Sequence, residues 1–272
     1  MTVKEAINQV KDVDYYILRR TMEYVLNIKS NEYIIKQDQE ISDEQLSIFS
    51  NFVDDLRNGK PVQYITHLQE FFGNDFYVDE NVLIPQPDTE VVVEEVLKIV
   101  SKSNKKKLKI LDLCTGSGVI AISIKLTFKN KVDVVASDIS KSAIKVAKRN
   151  AKTILGKENS IEFIESDMFE NIRGKFDVVV SNPPYIETET IRKLSTEVQN
   201  EPIIALDGGE DGLKFYRIIY QKIKKYLEVD GFLVMEIGYN QKLQILRMFE
   251  NVRCIKDYCN NDRVIIWKNV VR

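Results

Sequence analysis

Little in this 272-residue sequence is suited to holding a metal ion or a disulfide. There is one histidine, His67, so any mechanism that needs a histidine pair is excluded. The three cysteines, Cys114, Cys254 and Cys259, are odd in number and contain no CxxC. A disulfide framework or thiolate zinc site is therefore not expected, and a reducing cytoplasmic setting is. No apolar run approaches the ~18–20 residues of a membrane span, so no membrane partner is expected. The opening segment, MTVKEAINQVK, carries an acidic residue and no apolar h-region, and reads as no secretory signal. Charge of one sign is lacking too: 39 Lys and Arg face 41 Asp and Glu, a net −2. That balance argues against a chain built mainly to grip nucleic-acid phosphates. Internal repeats and low-complexity tracts are absent. What is present is 44% hydrophobic and 29% charged residues, enough to bury a core over about two domains' worth of chain.

Residues 1–60 read as a small helical bundle. Tyr15, Leu18, Met22 and Val25 form one face at helical spacing. The helix starting at Ser42, read as the third, opens with a capping box in which Gln45 reaches back to the cap. It carries the stripe Leu46, Phe49, Val53 and Leu56, and Gly59 and Pro61 stop it. With no glycine loop and no cluster of titratable groups, this bundle is expected to dock a substrate rather than to react. Residues 61–90 read as a β-hairpin turning at Gly73-Asn74-Asp75, then an extended linker into Pro85 and Pro87, with Asp88 or Thr89 as the cap of the next helix.

Residues 91–272 alternate strand and helix. Apolar runs at 108–113, 132–137, 161–166, 176–181, 231–237 and 263–267 frame helices at 119–128, 141–155 and 213–227. This predicts a mostly parallel sheet covered on both faces, with an antiparallel edge near the C-terminus. Lys102 to Lys109 reads as a solvated connection, and His67 as an exposed loop residue. Cys254 and Cys259 read as packing thiols. Glu236 ends a strand, where a structural role weighs as much as a place near the ligand.

Two segments carry chemistry. In Asp112-Leu113-Cys114-Thr115-Gly116-Ser117-Gly118 a buried strand runs into a glycine loop and then a helix near Val119, the place where doubly wound sheets bind ligands. The next strand ends in Asp138, whose carboxylate suits the two hydroxyls of a ribose, so an adenosine-containing cofactor is expected. The loop alone also fits a dinucleotide fingerprint, or a bare turn with no ligand. The second segment decides for a different chemistry. Phe176 to Ser181 ends in Asn182-Pro183-Pro184-Tyr185, where two prolines remove two N–H donors and stiffen the backbone. The Asn182 side-chain oxygen and Pro183 carbonyl then form a rigid acceptor pair for a planar –NH2 group, and Tyr185 offers it a flat surface.

The chain resembles the Class I S-adenosylmethionine-dependent methyltransferases with an NPPY motif. Within them it is most similar to the protein-(glutamine-N5) methyltransferases of peptide chain release factors, the HemK/PrmC family. Pro61–Thr66, Glu70–Gly73, Val82–Glu90, Glu201-Pro202 and Ala205–Gly209 carry that closer likeness. It implies a Rossmann-like α/β domain with a mostly parallel seven-stranded sheet and an antiparallel edge, preceded by the helical bundle and hairpin linker. It implies S-adenosylmethionine as cofactor, S-adenosylhomocysteine as product, and methylation of the loop glutamine (GGQ motif) of class 1 release factors, supporting translation termination.

By the same resemblance Cys114, Thr115, Gly116, Ser117 and Gly118 lie under the methionine and ribose of the cofactor. Asp138 takes the ribose hydroxyls, and Asp167 and Met168 flank the adenine. Asn182 lies beside methyl group and substrate, with Pro183, Pro184 and Tyr185 completing the catalytic and glutamine pocket. Cys114 stands where the family generally has glycine, Gln86 where it has arginine, and Met168 where some members have a larger aromatic. No ionic role passes to residue 86. The competing readings are an N6-adenine methyltransferase acting on RNA or DNA, a non-catalytic binding module, and a nicotinamide dehydrogenase that would leave Asn182–Tyr185 without a role. The acidic pI of about 5.8 speaks against the first, and nucleic acid is not expected as substrate.

Overall fold

The computed structural model describes residues 1–156 and 160–270. They divide into two compact units, Met1–Leu68 with Leu194–Asn200, and Gln69–Lys193 with Glu201–Arg272.

The first unit contains α1 (Val3–Gln9), α2 (Tyr15–Val25), α3 (Ser30–Lys36), α4 (Asp43–Arg57) and α5 (Val62–Thr66). The Ser42 helix is thus the fourth, because a short helix intervenes at Ser30. Its capping box forms as expected, with Gln45 N donating to Ser42 Oγ and Ser42 N donating to Gln45 Oε1, both at 3.2 Å. Leu18, Met22, Tyr33, Phe49 and Val53 are the buried centre of this unit. Tyr15, expected on the core face, is exposed instead, with its hydroxyl 3.2 Å from that of Tyr33. His67 is not a free loop residue: it caps α5 in the left-handed conformation (φ 54°) and is half-buried.

The second unit begins with a hairpin, β1 (Gln69–Phe71) and β2 (Asn74–Phe76). Residues 61–90 are therefore shared, with α5 in the first unit and the hairpin in the second. The hairpin turn falls at Phe72-Gly73, beginning one residue earlier than the sequence predicted, and Asn74 and Asp75 belong to β2. Phe72 and Gly73 both have positive φ (50° and 71°), as a two-residue type I′ turn demands. There follow α6 (Glu90–Lys102), β3 (Leu108–Leu113), α7 (Val119–Phe128), β4 (Val132–Asp138), α8 (Lys141–Leu155), β5 (Glu162–Glu165) and β6 (Phe176–Ser181). Next come α9 (Thr188–Ile191), α10 (Thr196–Gln199, in the first unit) and α11 (Ile203–Leu206). The chain closes with α12 (Lys214–Tyr226), β7 (Leu227–Glu236), α13 (Lys242–Met248), β8 (Arg253–Lys256) and β9 (Asp262–Lys268).

The large sheet has seven strands in the order β5-β4-β3-β6-β7-β9-β8. Only β9 runs against its neighbours, pairing antiparallel with both β7 and β8. The edge strand β8 escaped the sequence reading because only its two central residues, Cys254 and Ile255, are apolar and both stay half-exposed. Cys259 is exposed in the β8–β9 turn, not buried as the expected packing thiol. Core clusters lie on both faces of the sheet. One gathers Val92, Val96, Ile122 and Ile124 from α6 and α7, the other Tyr216, Ile219 and Ile223 from α12. Burying such near-continuous apolar strands on both faces is what a parallel sheet requires.

Candidate active site

The parallel register brings the site together. Leu113 pairs with Ser137 on one side and Ser181 on the other, Asp138 pairs with Glu165, and Ser181 pairs with Met235. The residues that end or follow each strand therefore lie side by side at one end of the sheet: Asp167, Asp138, the 114–118 loop, Asn182 and Glu236. Strand order reverses between β3 and β6, so this end holds the topological switch point where open α/β sheets place ligands. A cleft of about 260 Å³ lies there, lined by Cys114–Ser117, Asp138, Ile139, Asp167, Met168, Asn182 and Pro184.

The loop after β3 is held from below. Thr115 Oγ1 donates to Asp112 Oδ2 at 2.6 Å, and Thr115 N donates to Ser137 O at 2.9 Å. Asp112 is fully buried, and that burial pushes its carboxyl up to about 7 against the hydrogen bonds from Thr115 and Ala121. Gly118 adopts φ 86°, and a Cβ there would lie 3.0 Å from Ile122 Cδ1 and 3.1 Å from Ala147 Cβ, so the turn packs directly on α7 and α8. A Cβ on Gly116 would meet nothing within 4 Å, because that residue faces the open cleft. Cys114 itself takes the left-handed conformation (φ 59°) that glycine adopts without cost. Its thiol, kept protonated chiefly by burial, lies 3.8 Å from the Met168 sulfur.

Asp138 accepts one backbone hydrogen bond on each carboxylate oxygen, from Gly116 N and from Ser140 N, both at 2.9 Å. Each oxygen keeps lone-pair capacity for a further donor, and burial raises the group above its usual range. An acceptor-only carboxylate beside an open glycine loop fits the ribose of an adenosine cofactor. Asp167 is exposed on the cleft wall and Met168 is buried, its carbonyl fixed by Ser166 Oγ at 3.0 Å.

At the other end of the cleft, Asn182 Nδ2 donates to Thr89 Oγ1 at 3.2 Å, which leaves Oδ1 as the free acceptor of that amide. Thr89 Oγ1 in turn donates to Glu236 Oε2 at 2.6 Å, and the Tyr185 hydroxyl donates to Glu236 Oε1 at 3.2 Å. Thr89, expected as a cap, does precede α6, but its side chain is spent on Glu236 rather than on the helix. Pro183 is buried, and Tyr185 is half-buried with its phenol held neutral, first by desolvation and then by the Glu236 charge. The backbone after Tyr185 is clamped from three sides. Gln241 Nε2 donates to Tyr185 O at 2.9 Å, Ile186 N donates to Leu206 O at 3.0 Å, and Gly208 N donates to Ile186 O at 2.8 Å. The segment before Pro85 is tied in by Ile84 N donating to the buried Glu201 at 2.8 Å. Gln86 is exposed on the cleft rim and bonds Ile84 O at 3.1 Å.

Three positions matter here beyond the predicted site residues: Thr89, read from the sequence as a cap, and Glu236, read as a strand end, both as anchors of the Asn-Pro-Pro-Tyr turn, and Asn150, which no sequence signal marked. Asn150 joins Ser117 O and Tyr77 O at 2.9 Å each and accepts from Tyr77 N at 2.8 Å, which binds the hairpin exit to the glycine loop. Among the described residues no group of three or more His, Cys, Asp or Glu is placed to hold a metal, and no helix is long and apolar enough to cross a membrane.

A seven-stranded doubly wound sheet with this cradle at its switch point is the framework of a Class I methyltransferase, and the Methyltransferase small domain matches residues 89–204. Among solved structures, a methyltransferase from Pyrococcus furiosus superposes with a TM-score of 0.54 at 17% identity, over 82% of this chain and 100% of its own. The catalytic domain of hMettl16, solved with an RNA hairpin, gives 0.59 at 16%, over 79% of this chain and 84% of its own. Likeness at that identity speaks for the fold alone. The PrmC N-terminal domain matches residues 14–66. A release factor glutamine methyltransferase of Clostridium acetobutylicum is 41% identical over 90% of this chain and 88% of its own. One from Buchnera aphidicola is 37% identical over 96% of each. The chain belongs to the release factor glutamine methyltransferase family.

Proposed function

We propose that this chain transfers a methyl group from S-adenosylmethionine to the side-chain amide nitrogen of a glutamine in class 1 peptide chain release factors, leaving S-adenosylhomocysteine. The observation that carries the reading is the fixed amide of Asn182, whose nitrogen is occupied by Thr89 and whose oxygen is left for a substrate. When bound, the cofactor supplies an electrophilic methyl on a sulfonium. Cys114 to Gly118, Asp138, Asp167 and Met168 would hold it, the open face of Gly116 and the lone pairs of Asp138 being the features that fit.

A glutamine amide nitrogen is a poor nucleophile because its lone pair is delocalised into its own carbonyl. Asn182 Oδ1 and the Pro183 carbonyl accept its two hydrogens, which favours charge on nitrogen and fixes the direction in which that nitrogen points. The proton made acidic by methyl transfer stays in a hydrogen bond to one of these two oxygens until solvent takes it, which leaves a neutral N-methyl amide. Positioning two bound reactants supplies roughly 7–11 kcal/mol in good cases, and the aimed carbonyl dipoles add to it. The first unit, Met1–Leu68 with Leu194–Asn200, serves to select the protein substrate. The reaction belongs in the cytoplasm, where release factors work.

The test is transfer of labelled methyl from S-adenosylmethionine, with purified release factor and bulk RNA offered separately. Label on one glutamine of the release factor is expected. Label on RNA alone would hand the same pocket to an adenine-methylating enzyme.

A further inference from the structure

Glu236 is 2% exposed and does not line the cleft, yet the reactive turn is anchored to it, by Tyr185 directly and by Asn182 through Thr89. We propose that Glu236, acting through Thr89, is the positioning residue that sets which end of the Asn182 amide faces the substrate. The inference rests on the reading of Asn182 as the acceptor for the reacting amide.

The polarity follows from what each group can do. An ionised carboxylate only accepts hydrogen bonds. Thr89 Oγ1, 2.6 Å from Glu236 Oε2, must therefore spend its one proton there. Only lone pairs remain on Thr89 Oγ1 for Asn182, so Asn182 must present Nδ2, 3.2 Å away, and turn Oδ1 outward. The Tyr185 hydroxyl is forced into the same donor role by Oε1. One acceptor-only group thus orients the two polar side chains that flank Pro183 and Pro184. Glutamine at 236 has one accepting and one donating end, so it cannot take both hydroxyl protons. One of the two side chains then loses its fixed direction.

Protonating Glu236 has the same effect as that substitution. Burial, followed by the nearby Asp88 charge, raises its carboxyl, while Thr89, Arg263 and Tyr185 oppose this, and the balance lies at about 7. The ionisable groups around it are Asp88, Arg263, Tyr185 and Tyr216. Arg263 pairs with Asp88 at 3.0 Å and Asp257 at 3.1 Å, and Tyr216 donates to the Glu236 backbone carbonyl at 3.0 Å. Asp112 and Glu201 are also raised to about 7, so a pH limb is assigned only by its loss in a variant.

The experiment compares wild type, Glu236→Gln, Thr89→Val and Thr89→Ser. Both Gln and Val keep the shape of the residue they replace. Glu236→Gln and Thr89→Val should lower kcat for release-factor methylation by about 10²-fold, as a misplaced acceptor does. Glu236→Gln should leave S-adenosylmethionine affinity unchanged by calorimetry, and Thr89→Ser should recover most of the loss. The wild-type kcat should rise with pH through about 7, and that limb should be absent in Glu236→Gln. Independently of turnover, the Asn182 side-chain amide should show an NMR contact to the Thr89 methyl and slow exchange in wild type, and fast exchange in Thr89→Val. Full kcat in both variants, or an Asn182 amide indifferent to Thr89→Val, overturns the assignment. If wild type methylates no release factor, the functional reading fails, and the NMR comparison still decides the polarity.

Discussion

Substitution of Gly208 by alanine perturbs the reactive turn without touching the cofactor cradle. Gly208 runs beside the chain that follows Tyr185, its N–H on Ile186 O at 2.8 Å. A Cβ there would lie 2.7 Å from Tyr185 Cα, 2.8 Å from Tyr185 C and 2.9 Å from Gly212 Cα. All three are backbone atoms, so no side chain can swing away. Reaching ordinary contact at 3.4 Å needs a displacement of about 0.7 Å. Overpacking of this kind costs about 1–3 kcal/mol of stability, and a shift approaching 1 Å at the acceptors costs about 10²-fold in rate. The Cys114–Gly118 loop and Asp138 sit on other strands, so S-adenosylmethionine affinity should hold. The assays are urea denaturation, calorimetric cofactor titration and single-turnover methylation of a release factor. A Gly208→Ala protein that is less stable yet keeps wild-type kcat would refute the claim that this contact sets the geometry of Asn182 and Pro183.

Replacing Asn182 by alanine should lower kcat by at least about 10²-fold while cofactor affinity changes little, and equal activity would sink the proposed role. Asp138→Ala should do the reverse and weaken cofactor binding, since it removes the acceptor of Gly116 N, Ser140 N and the expected ribose; calorimetry reads this directly. Phe49→Ala opens a cavity in the core of the first unit worth about 3–5 kcal/mol, and should abolish protein methylation before cofactor binding is affected. Glu201 is raised by burial from 4.5 to about 7, so its contribution to stability is fully present below pH 4.5 and is lost as pH rises through 7. Glu201→Gln should therefore flatten the fall in urea midpoint between pH 5 and 8, by up to about 3 kcal/mol at 1.36 kcal/mol per unit.

The strands and helices of the second unit were legible because burial on both faces leaves strands almost purely apolar, as in Val178-Val179-Val180. Helix α8 showed the matching one-sided pattern, with Ala143, Ile144, Val146 and Ala147 buried and Lys145 and Lys148 exposed. The strand that was missed, β8, lies at the sheet edge, where half its surface faces water and the apolar signal thins out. The hairpin turn was misplaced because glycine is the louder signal. The positive φ at Phe72 is imposed by pairing Phe71 with Asn74, a relation between two strands rather than a property of one residue.

The same distinction divides the candidate site. Gly116, Gly118, Asp138 and Asn182 stand at strand ends of a register-matched parallel sheet, so each is marked by its own short run of sequence. Thr89 and Glu236 are 147 positions apart and meet only because the turn before α6 reaches the end of β7. Each alone has an ordinary reading, Thr89 as a helix cap and Glu236 as a strand-end carboxylate. Their meaning appears with the third partner, since a threonine that must donate to a buried carboxylate can only accept from Asn182. The motif supplies the acceptor, and the distant pair gives that acceptor its direction. Substitutions at Thr89 and Glu236 should therefore act on kcat even though neither belongs to the Asn-Pro-Pro-Tyr run.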